Sequence, residues 1–105
     1  MNKNLLEETR AVMKENGVAP GDVFYCKTDD ANFTWKVFEK AARNFNYDNG
    51  FGLPQVRRDL QIVGMNWWMK RREYDGAEWW EFLTRPEAGD TVSTSWISLK
   101  ERKFW

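Results

Sequence analysis

The stretch 66–86, NWWMKRREYDGAEWWEFLTRP, constrains the fold more than any other part of the chain. Two runs of aromatic and charged residues flank Asp75-Gly76, a dipeptide that accepts positive φ, and this is the sequence form of a β-hairpin. Four of the seven tryptophans, Trp67, Trp68, Trp79 and Trp80, fall within it. Large aromatic side chains bring the most buried area per residue, so the core is expected to assemble on this hairpin.

The loop length decides which side chains share a face, because a one-residue slip moves a whole strand to the other side. A two-residue loop sets Tyr74 against Ala77, Arg72 against Trp79, Lys70 against Glu81 and Trp68 against Leu83, and it also sets Glu73 against Glu78. A three-residue loop with Gly76 as a bulge sets Glu73 against Ala77, Arg72 against Glu78, Lys70 against Trp80 and Trp68 against Phe82. Cross-strand pairs contribute only ~0.2–1 kcal/mol each. The bulged form is preferred because it exchanges a like-charge pair for a salt bridge. In both registers Trp is mixed with Arg or Lys on faces that are neither wholly dry nor wholly wet.

The 105 residues are read as a single domain, 1–105. Sixteen basic residues balance sixteen acidic ones, which does not favour a nucleic-acid or anionic-membrane partner. No apolar run is long enough for a membrane span and no signal-peptide core is visible, and a single cysteine fits a reducing cytosol. There is no histidine. That removes Ser-His-Asp and Cys-His catalysis and any His-ligated metal, and no cofactor is expected. The lone Cys26 cannot form an internal disulfide and is expected to be a buried, inert thiol.

Along the chain, 4–16 reads as an amphipathic helix carrying Leu5, Leu6, Val12 and Met13 on one side together with Thr9. Asn4 and Glu7 have capping-box spacing, and Gly17-Val18 suits a Schellman ending. A short strand is expected over 22–27. Thr28-Asp29-Asp30 reads as the cap of a second helix over 31–46, with a stripe of Trp35, Phe38, Ala42 and Phe45 widened by Phe33, Val37 and Ala41. The segment 47–54, YDNGFGLP, is the main loop, a shaped turn with a binding loop as the second option, since Tyr47, Asp48 and Phe51 are candidates for exposure there. Strands over 59–63, 67–74 and 78–84 would form an antiparallel meander, and 91–99 a last short strand. The expected fold class is α+β: two helices packed on one face of a three- to four-stranded, mainly antiparallel sheet.

Three blocks of the chain, FNYDNGFG (45–52), DLQIVGMNWW (59–68) and REYDGAEWWEF (72–82), resemble a family of small, functionally uncharacterised proteins encoded in phages and mobile elements of Gram-positive bacteria. The family's motif is commonly EYDGSEWWEF, and Ala77 stands here where Ser is usual. The likeness covers less than half of the chain, but EYDG-x-EWWEF is specific. The resemblance implies a mobile-element origin and a bacterial cytoplasm. It implies no activity. Small phage proteins of this size often antagonise host defences by binding a protein or a signalling nucleotide, and for this chain that is analogy.

Three functions are weighed. The first is a non-enzymatic binding module, because Trp, Tyr and Arg are enriched at binding hot spots and alternate densely in the hairpin. Its candidate residues are Trp68, Arg72, Tyr74 and Trp79, with Tyr47, Asp48 and Phe51 from the loop. The partner would be a host protein or a small molecule. One or two of the seven tryptophans are expected to be exposed for this purpose, the others being core. The second is a nucleic-acid module in which Arg57, Arg58, Lys70, Arg71 and Arg72 contact phosphates while Trp67 or Trp68 stacks a base. Against it stands the plainer reading that these cations pair with Glu73, Glu78 and Glu81. The third is an enzyme using Glu73 and Glu78 as paired carboxylates, which the lack of histidine disfavours.

Overall fold

The computed structural model describes residues 2–48 and 53–85. Phe51, the Asn49-Gly50 turn, the strand expected over 91–99 and the charged C-terminal tail lie outside the described residues. Among the described residues the class is α+β, with two α-helices, a five-stranded antiparallel sheet and a separate two-stranded sheet.

Strand β1 (Asn2–Asn4) runs directly into helix α1 (Leu5–Glu15). Asn4 ends the strand and caps the helix: its Oδ1 accepts from the Glu7 N–H at 3.0 Å, satisfying one of the amides that a helix start leaves without a partner. Leu5, Leu6, Thr9 and Met13 are buried, the spacing expected of one helix face. Thr9 is tolerated there because its hydroxyl donates to the Leu5 carbonyl at 2.6 Å and accepts from Trp80 Nε1 at 2.8 Å. The helix closes as expected. Gly17 has φ +75°, and Val18 N–H donates to Met13 O while Gly17 N–H donates to Lys14 O, the two bonds of a Schellman ending.

After a 3₁₀ turn at Pro20–Asp22 come β2 (Val23–Lys27) and β3 (Asn32–Phe33), which pair antiparallel. Thr28-Asp29-Asp30 is therefore a hairpin turn and not the cap of the second helix. Thr28 N–H donates to Ala31 O at 2.9 Å, and Asp30 N–H donates to the Thr28 hydroxyl at 3.2 Å. The second helix, α2 (Trp35–Ala42), is correspondingly shorter than the expected 31–46, and its cap is Thr34, which accepts from Val37 N–H at 3.3 Å. Phe38 and Ala42 are buried as expected, whereas Phe45 lies beyond the helix and is exposed, as are Val37 and Ala41.

The main loop begins in a strand: β4 (Asn46–Asp48) pairs antiparallel with β1, placing Asn2 opposite Asp48 and Lys3 opposite Tyr47. Residues 57–60 form a turn, so the strand expected over 59–63 begins only at Gln61. Arg57 there bonds Asp59 at 2.6 Å and Asp30 at 3.0 Å, and Asp59 also accepts the Asp29 N–H at 2.8 Å. This cluster fastens the 57–60 turn to the β2–β3 turn. Strand β5 (Gln61–Gly64) then leads into β6 (Trp67–Tyr74) and β7 (Ala77–Thr84).

The expected meander is present as β5-β6-β7, and β2 and β3 extend it to the order β3-β2-β5-β6-β7, one or two strands more than the sequence suggested. Cys26, Ile62, Met69 and Phe82 stand side by side across four strands on the buried face. The first three are fully buried, and together with Leu5, Leu6, Met13 and Phe38 of the helices they belong to a single core.

The hairpin takes the two-residue register and not the bulged one. Tyr74 faces Ala77 and Glu73 faces Glu78. Asp75 has φ +52° and Gly76 φ +87°, positive at both central positions as a type I′ turn requires. The like-charge pair that argued against this register is relieved by Arg71 of the hairpin itself and by groups outside it. Glu78 bonds Arg71 at 3.1 Å and accepts the backbone N–H groups of Gln55 and Val56. Glu73 pairs with Arg58 at 3.4 Å.

Candidate functional site

The two faces of the hairpin have opposite chemistry. On the buried face lie Trp67, Met69, Arg71, Glu78 and Trp80. Burying a charge is costly unless it is paired and hydrogen-bonded, and Arg71 meets that demand from several directions. Its guanidinium donates to Glu8 Oε2 at 3.2 Å, to the Tyr47 hydroxyl at 3.2 Å and to Glu78 Oε1 at 3.1 Å. It sits 4.9 Å from the Trp80 ring centroid and 5.8 Å from that of Tyr47, within range of a cation–π contact. Tyr47 donates its own proton to Glu8 Oε1 at 2.5 Å. Burial, with the acceptor Glu8 beside it, pushes the Tyr47 phenol up to about 12.

Three expectations are corrected here. Tyr47, a candidate for an exposed binding loop, is 2% exposed and belongs to the core. Arg71, a candidate phosphate contact, faces inward and is spent on Glu8 and Glu78. Arg72 pairs across the hairpin with Trp79 and reaches Glu81 at 3.5 Å, and not Glu78 as the bulged register would have it. The paired carboxylates Glu73 and Glu78 do face each other, but each is held by a cation of its own. Cys26 is buried, and desolvation pushes its thiol up to about 12.

The opposite face carries the other candidates. Trp68 is half-buried in a row with Tyr25, Val63 and Leu83. Further along stand Lys70 opposite Glu81, Arg72 opposite Trp79, and Tyr74 opposite Ala77. Exposure rises towards the turn: Trp79 is 40% exposed and Tyr74 75%. Trp79 is the one exposed tryptophan among the described residues. Trp68, Arg72, Tyr74 and Trp79 thus share a face, while Tyr47 lies on the other side of the hairpin. Asp48 is exposed at the end of β4. Of the remaining basic candidates, Arg57 is tied to Asp59 and Asp30, which raise its pKa and hold the Asp59 carboxyl far below the usual carboxylate range. Arg58 and Lys70 are the other two.

Two concavities matter. A polar notch of about 400 Å³ is lined by Arg58, Lys70, Arg71, Arg72 and Glu73. An apolar groove of about 260 Å³ runs between α2 and the 56–60 segment, with Phe33, Val37, Ala41, Phe45, Val56 and Leu60 among its walls. Sequence reasoning missed the groove. Its signal was the width of the α2 stripe, which exceeds what the core covers. It also missed Glu8 as a partner of Arg71, a contact across 63 positions that local pairing rules do not reach.

Among the described residues no helix is long and apolar enough to cross a membrane. The chain matches no family model, no curated protein and no solved structure. Function therefore has to be argued from the geometry.

Proposed function

We propose that the protein is a small, non-enzymatic binding protein whose ligand lies on the face of the hairpin opposite the core. In this reading both helices pack on the buried side of the sheet, leaving Trp68, Arg72, Tyr74 and Trp79 on the open side. The observation that carries it is the exposure of Tyr74 and Trp79 beside the guanidinium of Arg72. These side chains contribute little to the core, so their presence calls for another use. An aromatic surface next to a guanidinium suits a planar, anionic small molecule, held by stacking and charge-assisted hydrogen bonds.

The non-catalytic part of the reading draws on the absence of histidine, the buried Cys26 thiol and the pairing of Glu73 and Glu78 with cations. The resemblance to phage and mobile-element proteins supplies a setting, a bacterial cytoplasm in which such a binder would antagonise a host defence by sequestering its signal. The nucleic-acid reading is the weaker one, since Arg71 and Arg57 are already engaged.

The test is capture from a bacterial lysate followed by mass spectrometry of bound small molecules and proteins, with Arg72→Ala and Trp79→Ala alongside the parent chain. The expected result is a small molecule recovered by the parent and lost with either variant, at a melting temperature within a few degrees of the parent, which for a domain this size corresponds to roughly 1 kcal/mol or less. Recovery unchanged by both variants would remove the open face as the site. A protein recovered instead, with the same dependence, would move the reading to protein recognition.

A further inference from the structure

The notch beside β6 has a feature that the hairpin pattern does not require. β5 pairs with β6 only from Val63–Trp68 to Gln61–Lys70, while β6 continues to Tyr74. No described strand pairs with β6 beyond Lys70 on that side. In a hairpin closed by a two-residue loop, the pairs bonded to β7 alternate with pairs whose N–H groups point away from it, and Glu73, beyond the last β5 pair, is of the second kind. The Glu73 N–H therefore edges a concave space of about 400 Å³ walled by Arg58, Lys70 and Arg72 against the single carboxylate of Glu73.

The cations here are weakly committed. Arg58 reaches Glu73 at 3.4 Å and Arg72 reaches Glu81 at 3.5 Å, both beyond the ~2.7–2.9 Å of a charge-assisted hydrogen bond. Both arginines are more than half exposed, the setting in which an ion pair contributes least. Lys70, half-buried, forms no ion pair among the described residues. By contrast Arg57 and Arg71 are held at 2.6–3.2 Å by two carboxylates each. Two kinds of cation are thus present: those that fasten the fold, and three around one notch whose partners are distant or lacking.

We infer that this notch, formed by Arg58, Lys70 and Arg72 beside the uncovered edge of β6, is a phosphate subsite, and that the ligand of the open face carries a phosphate or diphosphate group. This rests on the proposed binding role and names its ligand class. A doubly charged, tetrahedral oxyanion can accept from two guanidinium groups, one ammonium and a backbone N–H at once, and its charge balances three cations against one carboxylate, where a carboxylate ligand brings only a single charge. The planar part of such a ligand would lie towards Trp79, which faces Arg72 across the strands.

The probe is inorganic pyrophosphate, titrated into the full chain by calorimetry, with melting temperature followed in parallel. Lys70→Ala and Arg58→Ala should each weaken binding at least tenfold without lowering the melting temperature. Glu73→Gln, which removes the competing carboxylate, should tighten it several-fold, an effect that a loss of structure would not produce. Absence of binding by the parent, or affinities that these three variants leave unchanged, would overturn the inference. Two sources of the phosphate are separated by competition. Displacement of pyrophosphate by a nucleoside triphosphate, and not by a single-stranded oligonucleotide, assigns the subsite to a free ligand. Displacement by the oligonucleotide with a steep salt dependence assigns it to a nucleic-acid backbone. If pyrophosphate fails to bind while Arg72→Ala and Trp79→Ala still abolish small-molecule capture, the phosphate inference falls and the binding role stands.

Discussion

The indole of Trp67 occupies the space that a side chain at position 64 would need. A Cβ built on Gly64 would lie 2.2 Å from both Cε2 and Nε1 of that ring. Both residues are buried at the β5–β6 corner, and Trp67 is stacked on Phe82 with ring centroids 5.4 Å apart, so the indole has little room to retreat. Gly64→Ala should therefore destabilise the protein by about 1–3 kcal/mol, the usual cost of overpacking. Urea denaturation checks this. The loss should shrink in the Gly64→Ala, Trp67→Leu double variant relative to the sum of the singles, because the clash is then gone.

Arg71 is the next place to press. Arg71→Met would leave the Glu8 and Glu78 carboxylates buried without their shared cation. Breaking a buried ion pair from one side costs about 3–5 kcal/mol. A shift in denaturation midpoint equivalent to less than about 1 kcal/mol, the scale of an exposed pair, would mean that water reaches the cluster.

Gly76→Val tests the turn. At φ +87° a β-branched residue is strained, and the backbone contribution is roughly 1–2 kcal/mol. Asp75→Asn, by contrast, should be nearly neutral, since Asn tolerates the left-handed region at least as well. The pair of measurements separates turn geometry from side-chain loss.

Tyr47 links stability to alkaline pH. Its phenol titrates near 10.0 when unperturbed and at about 12 in the fold. The folded state then holds the proton more tightly, so stability from this group is fully present below pH 10 and falls as pH rises towards about 12. Denaturation midpoints measured across that window should decline more steeply for the parent than for Tyr47→Phe. Identical slopes would place the hydroxyl outside the buried network.

Much of the fold could be read from local pattern. Asn4, Gly17 and Val18 bracket α1 where the sequence put its ends, and Asp75-Gly76 marks the turn of the hairpin. The failures came where distant contacts outweighed local ones. Thr28-Asp29-Asp30 has cap chemistry, but pairing of Cys26 with Phe33 bends it into a turn and passes the capping role to Thr34. β1 and β4 are three residues each, too short and polar to show a period, and they are joined across more than forty positions. Arg71 looked like a surface cation because nothing near it in sequence announces Glu8 or Tyr47. On the candidate site, alternation along β6 put Trp68, Arg72 and Tyr74 on one face, but Trp79 joins them only in the two-residue register that the sequence disfavoured, and the division of labour among the arginines was not legible.

Asn4 has a practical implication. Its Oδ1 caps α1, its Nδ2 donates to the Arg43 carbonyl and to Asn46 Oδ1, and its backbone pairs with β4, next to Tyr47. The start of the chain is therefore a poor place for a handle. A fusion joined tightly at Asn2, or a trimmed variant lacking the first four residues, would disturb a helix start and the strand that delivers a core hydroxyl together. An immobilised protein prepared that way would report on a weakened scaffold instead of on its ligand, so a label for binding work is better carried on an exposed side chain such as Lys36, at the opposite end of α2 from the Arg43 carbonyl that Asn4 bonds.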